Sequence, residues 1–121
     1  MLPKLFRLNK ETDIRRVLRR GAERSSPILA LKFLNSGFRQ SRFGFLVSKK
    51  VSLKAVKRNI VKRRQRNIVG QTIPSNFPGN DCLLIARPRI LGESFEVLER
   101  QTITLFKTAN LLNSVKTKKG L

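Results

Sequence analysis

Between Asn9 and Arg20 the apolar side chains Ile14, Val17 and Leu18 recur at i, i+3 and i+4, with Arg15, Arg16, Arg19 and Arg20 on the other side. That spacing belongs to a short helix with one apolar face. Asn9 suits its N-cap and Gly21 its stop. The pattern then shortens. Ile28–Leu34 (ILALKFL) reads as a strand bounded by Pro27 and by the turn residues Asn35, Ser36 and Gly37. Ala22–Ser26 leaves room for an extra strand without requiring one. In Arg42–Ser48 (RFGFLVS) a period of two puts Phe43, Phe45 and Val47 on one face and Arg42, Gly44 and Leu46 on the other. A short turn around Gly37 predicts that these two strands pair as an antiparallel hairpin.

A second helix is expected from Leu53 or Lys54 to about Val69, ended by Gly70 and followed by the loop sequence IPSNFPGN. Asp81–Ala86 (DCLLIA) is almost wholly apolar, the pattern of a strand covered on both faces. Arg87-Pro88 breaks it. From Phe95 to about Leu112 the helical period returns, with Leu98, Thr102, Leu105, Phe106 and Ala109 in one inward stripe. The order is helix, two or three strands, basic helix, strand, helix. It predicts a two-layer α/β sandwich, helices packed on a small mixed sheet. A chain of 121 residues suffices for one domain, expected over residues 1–113, with residues 114–121 a basic, disordered tail.

Charge changes the picture most. The chain carries 27 Lys and Arg against 7 Asp and Glu, a net +20. Such a balance destabilises a compact state unless an anion screens it. Lys49–Arg66 holds nine of the cations in eighteen positions and no acid. Within it Lys54, Arg58, Lys62 and Arg66 recur every four residues, so on a helix they form a self-repelling stripe. A nucleic-acid backbone laid along the stripe reverses that cost and releases its condensed counterions.

Other classes lose ground. The chain has no Trp or Tyr, and no apolar run near the ~20 residues of a membrane span. MLPKLFRLNKETD lacks the apolar core of a signal peptide, so a cytoplasmic protein without membrane contact is expected. Cys82 is the single cysteine and lies in an apolar run, the setting of a buried, inert thiol. Without His or a Cys cluster there is no zinc site. Glu96 and Glu99 can share a helix face, but such a pair more simply keeps a helix hydrated. No catalytic residue is assigned, and any chemistry is expected from a partner.

Four segments, in order, resemble the protein subunit of bacterial ribonuclease P. They are RLNKETDIRRVLRRG (Arg7 to Gly21), RFGFLVSKKV (Arg42 to Val51), AVKRNIVKRRQR (Ala55 to Arg66) and DCLLIARP (Asp81 to Pro88). The resemblance implies an α-β-β-β-α-β-α order with a mixed four-stranded sheet, like the second domain of ribosomal protein S5. It also implies a left-handed βαβ crossover, which no pattern argument would yield because right-handed crossovers are the norm. It further implies a holoenzyme in which a catalytic RNA and Mg2+ cleave the 5′ leader from precursor tRNA. The protein would bind both RNAs and need no protein partner. Mg2+ would be held mainly by the RNA.

By the same resemblance Arg58, Lys62, Arg63 and Arg66 face the ribonuclease P RNA, Lys49, Lys50 and Lys54 extend that surface, and Asn59 lies near the RNA backbone and a Mg2+ ion. Two departures stand out. Ile60 replaces the second Arg of the family's Arg-Asn-Arg, and Arg64 and Gln65 occupy positions usually apolar. A leader cleft is implied between the first helix and the sheet, with Ile14 and Leu18 where relatives often have aromatics. Arg15, Arg19 and Lys32 would add charge, and Phe33, Phe43 or Phe45 a stacking ring. The alternative is a ribosomal-type scaffold protein that binds structured RNA without a role in cleavage. Helix-turn-helix DNA binding fits less well, since strands flank the basic helix.

Overall fold

The structure, a computed structural model, describes residues 7–37, 41–72 and 79–109. Along them the chain forms α1 (Glu11–Arg20), β1 (Ala22–Ser25), β2 (Leu29–Asn35), β3 (Arg42–Leu46), α2 (Ala55–Thr72), β4 (Asn80–Ala86) and α3 (Phe95–Thr108). A 3-10 turn over Pro88–Gly92 follows the break at Arg87-Pro88. The predicted tail, most of the IPSNFPGN loop and the expected end of the last helix at Leu112 lie outside the described residues.

The strands form one mixed sheet in the order β1-β2-β4-β3. The predicted hairpin is therefore wrong: β2 and β3 are not neighbours. β4 enters between them, antiparallel to β2 (Leu31 opposite Leu84) and parallel to β3 (Phe45 opposite Leu84). Burial explains the insertion. β4 is the most apolar strand, with Cys82, Leu83 and Leu84 all at or below 1% exposure, and only a central place covers both its faces. The undecided Ala22–Ser25 segment becomes an exposed edge strand on β2, carrying Glu23 and Arg24.

Two cores follow from the alternation. Cys82, Leu84 and Ala86 point with Phe43, Val47, Leu29 and Leu31 toward α2 and α3, where Ile68, Leu98 and Phe106 cover them. Leu83 points the other way, to Leu8 and to Val17 of α1, with Ile14, Leu46 and Ile85 beside them. The face assignment predicted for residues 42–47 holds. At Gly44 a side chain is excluded, because a Cβ would sit 2.6 Å from the Leu8 carbonyl oxygen. That close approach lets the Leu8 N–H donate to the Phe43 carbonyl at 2.7 Å and lays residues 7 and 8 along β3.

Helix ends differ in detail from expectation. α1 begins at Glu11 with Lys10 as N-cap and no side-chain cap bond, so Asn9 is not the cap. Acids in its first turn and Arg19 and Arg20 in its last complement the helix dipole instead. Gly21 does stop α1, in extended backbone; there a Cβ would meet the Val17 carbonyl oxygen at 2.6 Å. α2 runs through Gly70 to Thr72, whose hydroxyl donates to the Ile68 carbonyl at 2.7 Å. α3 opens on Ser94, whose Oγ accepts from the Val97 N–H at 3.2 Å, and its predicted stripe is buried throughout. Gln65 is fully buried on α2, and neither its amide oxygen nor its nitrogen has a partner among the described residues.

Candidate nucleic-acid interface

The α2 stripe is not straight. A row of every fourth residue drifts about 40° per step around an α-helix. Lys54 is accordingly exposed, while Arg58, Lys62 and Arg66 are half-buried and turn progressively toward the sheet. Arg58 donates from Nη1 to the Ser52 carbonyl at 2.9 Å, tying the helix to the bend before it. In that bend the Ser48 and Ser52 hydroxyls accept from the N–H groups of Lys50 (3.2 Å) and Lys54 (3.1 Å). The turn presents Lys49, Lys50 and Lys54 outward, and Asn59 and Arg63 are exposed on the helix.

At the far end of the stripe, Lys62 and Arg66 enter a groove of about 290 Å³ that they share with Arg7, Ile14, Phe45 and Leu46. The groove wraps β3, one of the two edge strands, and joins a residue of α1 on one face of the sheet to cations of α2 on the other. The Arg66 guanidinium lies 5.8 Å from the Phe45 ring centroid, within cation–π range. Cations, aliphatic surface and one ring face thus meet in a single open channel. It can hold a flexible anionic strand, phosphates against Lys62 and Arg66 and bases against Phe45, Ile14 and Leu46.

Most of the other predicted cleft residues do not converge there. Phe43 is 5% exposed and packs edge-on against Phe106, centroids 6.2 Å apart, and Phe33 packs on the same core. The reason is register: both point to the α2 and α3 side, away from α1. Phe45 shares that face but stands where the edge strand leaves it half uncovered. Lys32 donates to the Leu18 carbonyl at 2.7 Å, on the β2 flank of α1. Arg15 is paired with Glu11 at 2.7 Å on open surface. Arg19 lies with Arg16 and Arg20 around a shallow depression on the outer side of α1. Of the eight, Ile14, Phe43 and Phe45 line the groove, Phe43 with its ring committed to the core, while Leu18 is exposed on α1 outside the groove's lining.

Sequence reasoning missed two features of the site. Arg7 lines the groove from the segment before α1. Arg42, beside the groove, ties β3 to β4 and to α1: Nε and Nη2 donate to the Asp81 carboxylate at 2.9 and 2.8 Å, and Nη1 to Asp13 of α1 at 3.2 Å. Asp13 in turn accepts from Arg16 at 2.7 Å. The hydrogen bond from Arg42 to Asp81 raises the guanidinium's pKa above its ordinary value, against the opposing effect of burial. The available signal was scarcity: with seven acids in the chain, one at the head of an apolar strand needs a cation.

Among the described residues no group of three or more His, Cys, Asp or Glu could hold a metal ion. Asn59 contributes one exposed amide, which alone makes no cation cage. Cys82 is fully buried, and desolvation pushes its thiol pKa far above the ordinary range. No helix among the described residues is long and apolar enough to cross a membrane.

Fold and site together define a small, basic, polyanion-binding α+β protein whose cations lie on one helix and around one edge-strand groove. Comparisons narrow the class. The Ribonuclease P family matches residues 2–110. The ribonuclease P protein component of Synechocystis sp. is 36% identical over 115 residues, covering 93% of this chain and 91% of that one. The ribonuclease P protein of Thermotoga maritima superposes with a TM-score of 0.75 at 26% identity, covering 84% of this chain and 96% of that one. That of Staphylococcus aureus shares the fold with a TM-score of 0.80 at 24% identity, over 88% of this chain and 96% of that one. The chain belongs to the ribonuclease P protein family, the protein component of the tRNA-processing ribonuclease P holoenzyme. Its partner is accordingly a ribonuclease P RNA.

Proposed function

We propose that α2 docks on the ribonuclease P RNA and that the groove along β3 takes the single-stranded 5′ leader of precursor tRNA. One observation carries this reading: Lys62 and Arg66 of the basic helix meet Ile14, Phe45 and Leu46 in the same channel. Exposed Lys49, Lys50, Lys54 and Arg63 are then left to face the RNA subunit while the groove stays open to substrate. Asn59 sits among them, within reach of the same backbone.

The physical task is to bring two polyanions together. A protein of +20 lowers their mutual repulsion and reduces the magnesium needed for productive binding. Magnesium, bound by the RNA, supplies the hydrolytic chemistry. The protein's own residues neutralise phosphates, orient the leader and hold it away from the duplex. A base stacked on Phe45 contributes about 1–3 kcal/mol. The place of work is the cytoplasm, in keeping with a reduced, buried Cys82.

The test is cleavage of precursor tRNA by a bacterial ribonuclease P RNA at low magnesium, with and without the protein, on precursors with long and one-nucleotide leaders. The protein is expected to restore accurate cleavage and to favour the long leader. Lys62→Ala with Arg66→Ala removes that leader preference, and lowers the salt dependence of precursor binding by about 0.7 for each phosphate no longer neutralised. Equal stimulation of both precursors by the wild-type protein would overturn the leader assignment.

A further inference from the structure

We infer that Leu53, Val56 and Ile60 form an apolar contact surface for unpaired nucleotides of the RNA subunit. The inference rests on α2 being the RNA-docking helix and adds a kind of contact that its cations cannot make. Leu53 is 83% exposed, Val56 70% and Ile60 38%. Val56 and Ile60 are one helical turn apart on the side of α2 opposite Val61, Gln65 and Ile68, and Leu53 precedes them in the bend that leads into the helix. Other exposed large apolar residues, such as Leu18, Leu91 and Phe95, stand on separate elements. Among the described residues, only this short segment carries three of them.

The surroundings select the occupant. Lys57 and Arg64 flank the apolar strip on one side and Arg63 on the other, all exposed, and no acid lies between Lys49 and Arg66. A second copy of the chain would bring +20 against +20 at this spot. A duplex offers chiefly phosphates and 2′-hydroxyls, from which aliphatic side chains gain nothing. An unstacked nucleotide offers an apolar base face with its phosphates on either side. Aliphatic centre and cationic flanks match that object. Ile60 stands where the family resemblance leads one to expect Arg, so this chain exchanges a salt-sensitive phosphate contact for a salt-insensitive apolar one.

The experiment measures affinity for a bacterial ribonuclease P RNA as a function of salt. For Leu53→Ser with Val56→Ser, the dissociation constant is expected to rise about tenfold, or about 1.4 kcal/mol, at every salt concentration. The slope of log K against log salt stays unchanged, because no charge is altered. The melting temperature also stays unchanged, since both side chains are exposed. Ile60→Arg should steepen the slope by ~0.7–0.9. Wild-type affinity in the Leu53/Val56 variant overturns the inference. So does loss of protein self-association in that variant with RNA affinity intact, which would assign the strip to a second copy. Lys54→Ala with Arg63→Ala separates the two levels. If that variant flattens the slope while the serine variant changes nothing, only the apolar contact fails. If neither changes RNA binding, α2 is not the docking helix.

Discussion

Replacing Arg42 with Ala tests how β3 is tied to β4 and to α1. Among the bonds the substitution removes are two to Asp81, whose side chain is 1% exposed, and one to Asp13. Asp81 is then left as a buried carboxylate without its cation. Breaking a buried pair from one side costs about 3–5 kcal/mol. Because the Arg42 side chain keeps 22% exposure, the low end, about 3 kcal/mol, is expected. That is a large part of the ~5–15 kcal/mol that holds a domain folded. In urea unfolding followed by circular dichroism, a slope near ~2 kcal/mol/M turns this into a midpoint lowered by roughly 1.5 M. Asp81→Asn preserves the shape and leaves Arg42 its bond to Asp13, so its cost should be smaller, about 1–2 kcal/mol. Arg42→Ala also frees the first turn of α1, and precursor tRNA affinity should fall more than affinity for the RNA subunit. A midpoint shift within roughly 0.3 M of wild type, under about 1 kcal/mol, would refute the reasoning.

Gln65→Leu removes a fully buried amide that has no partner among the described residues and keeps its volume, so stability should rise by about 1–2 kcal/mol with RNA affinity unchanged; a lower urea midpoint would show that the amide is satisfied. Phe43→Ala should cost about 3–5 kcal/mol through the cavity it opens beside Phe106. Phe45→Ala should cost far less stability and instead weaken binding of long-leader precursor, measured by filter retention. Cys82 should not react with a thiol reagent until the protein unfolds. Burial raises its folded-state pKa above the ordinary 9.0, so the stability it confers is full below pH 9. That stability falls as pH rises further, because only the unfolded chain releases the proton; Cys82→Ala should flatten the decline in urea midpoint above pH 9.

Much of this protein is legible in the chain alone. The 3.6-residue period marks α1 and the inward face of α3, and the two-residue period of residues 42–47 assigns each side chain to its face. The missing acids of residues 49–66 point to a polyanion before any fold is known. These are local properties, written within one or two turns of backbone. Tertiary structure decided what covers what. The hairpin predicted at Gly37 failed because turn chemistry ranks only neighbours in sequence, whereas the sheet places its most apolar strand centrally, and β4 enters from beyond α2. That insertion makes β3 an edge, and the edge makes the groove. It also brings Arg42 to Asp81, 39 residues away, and buries the ring of Phe43 while leaving Phe45 half-exposed in the groove. A periodicity tells which side of an element avoids water; which partner hides that side depends on the burial available to all the elements at once.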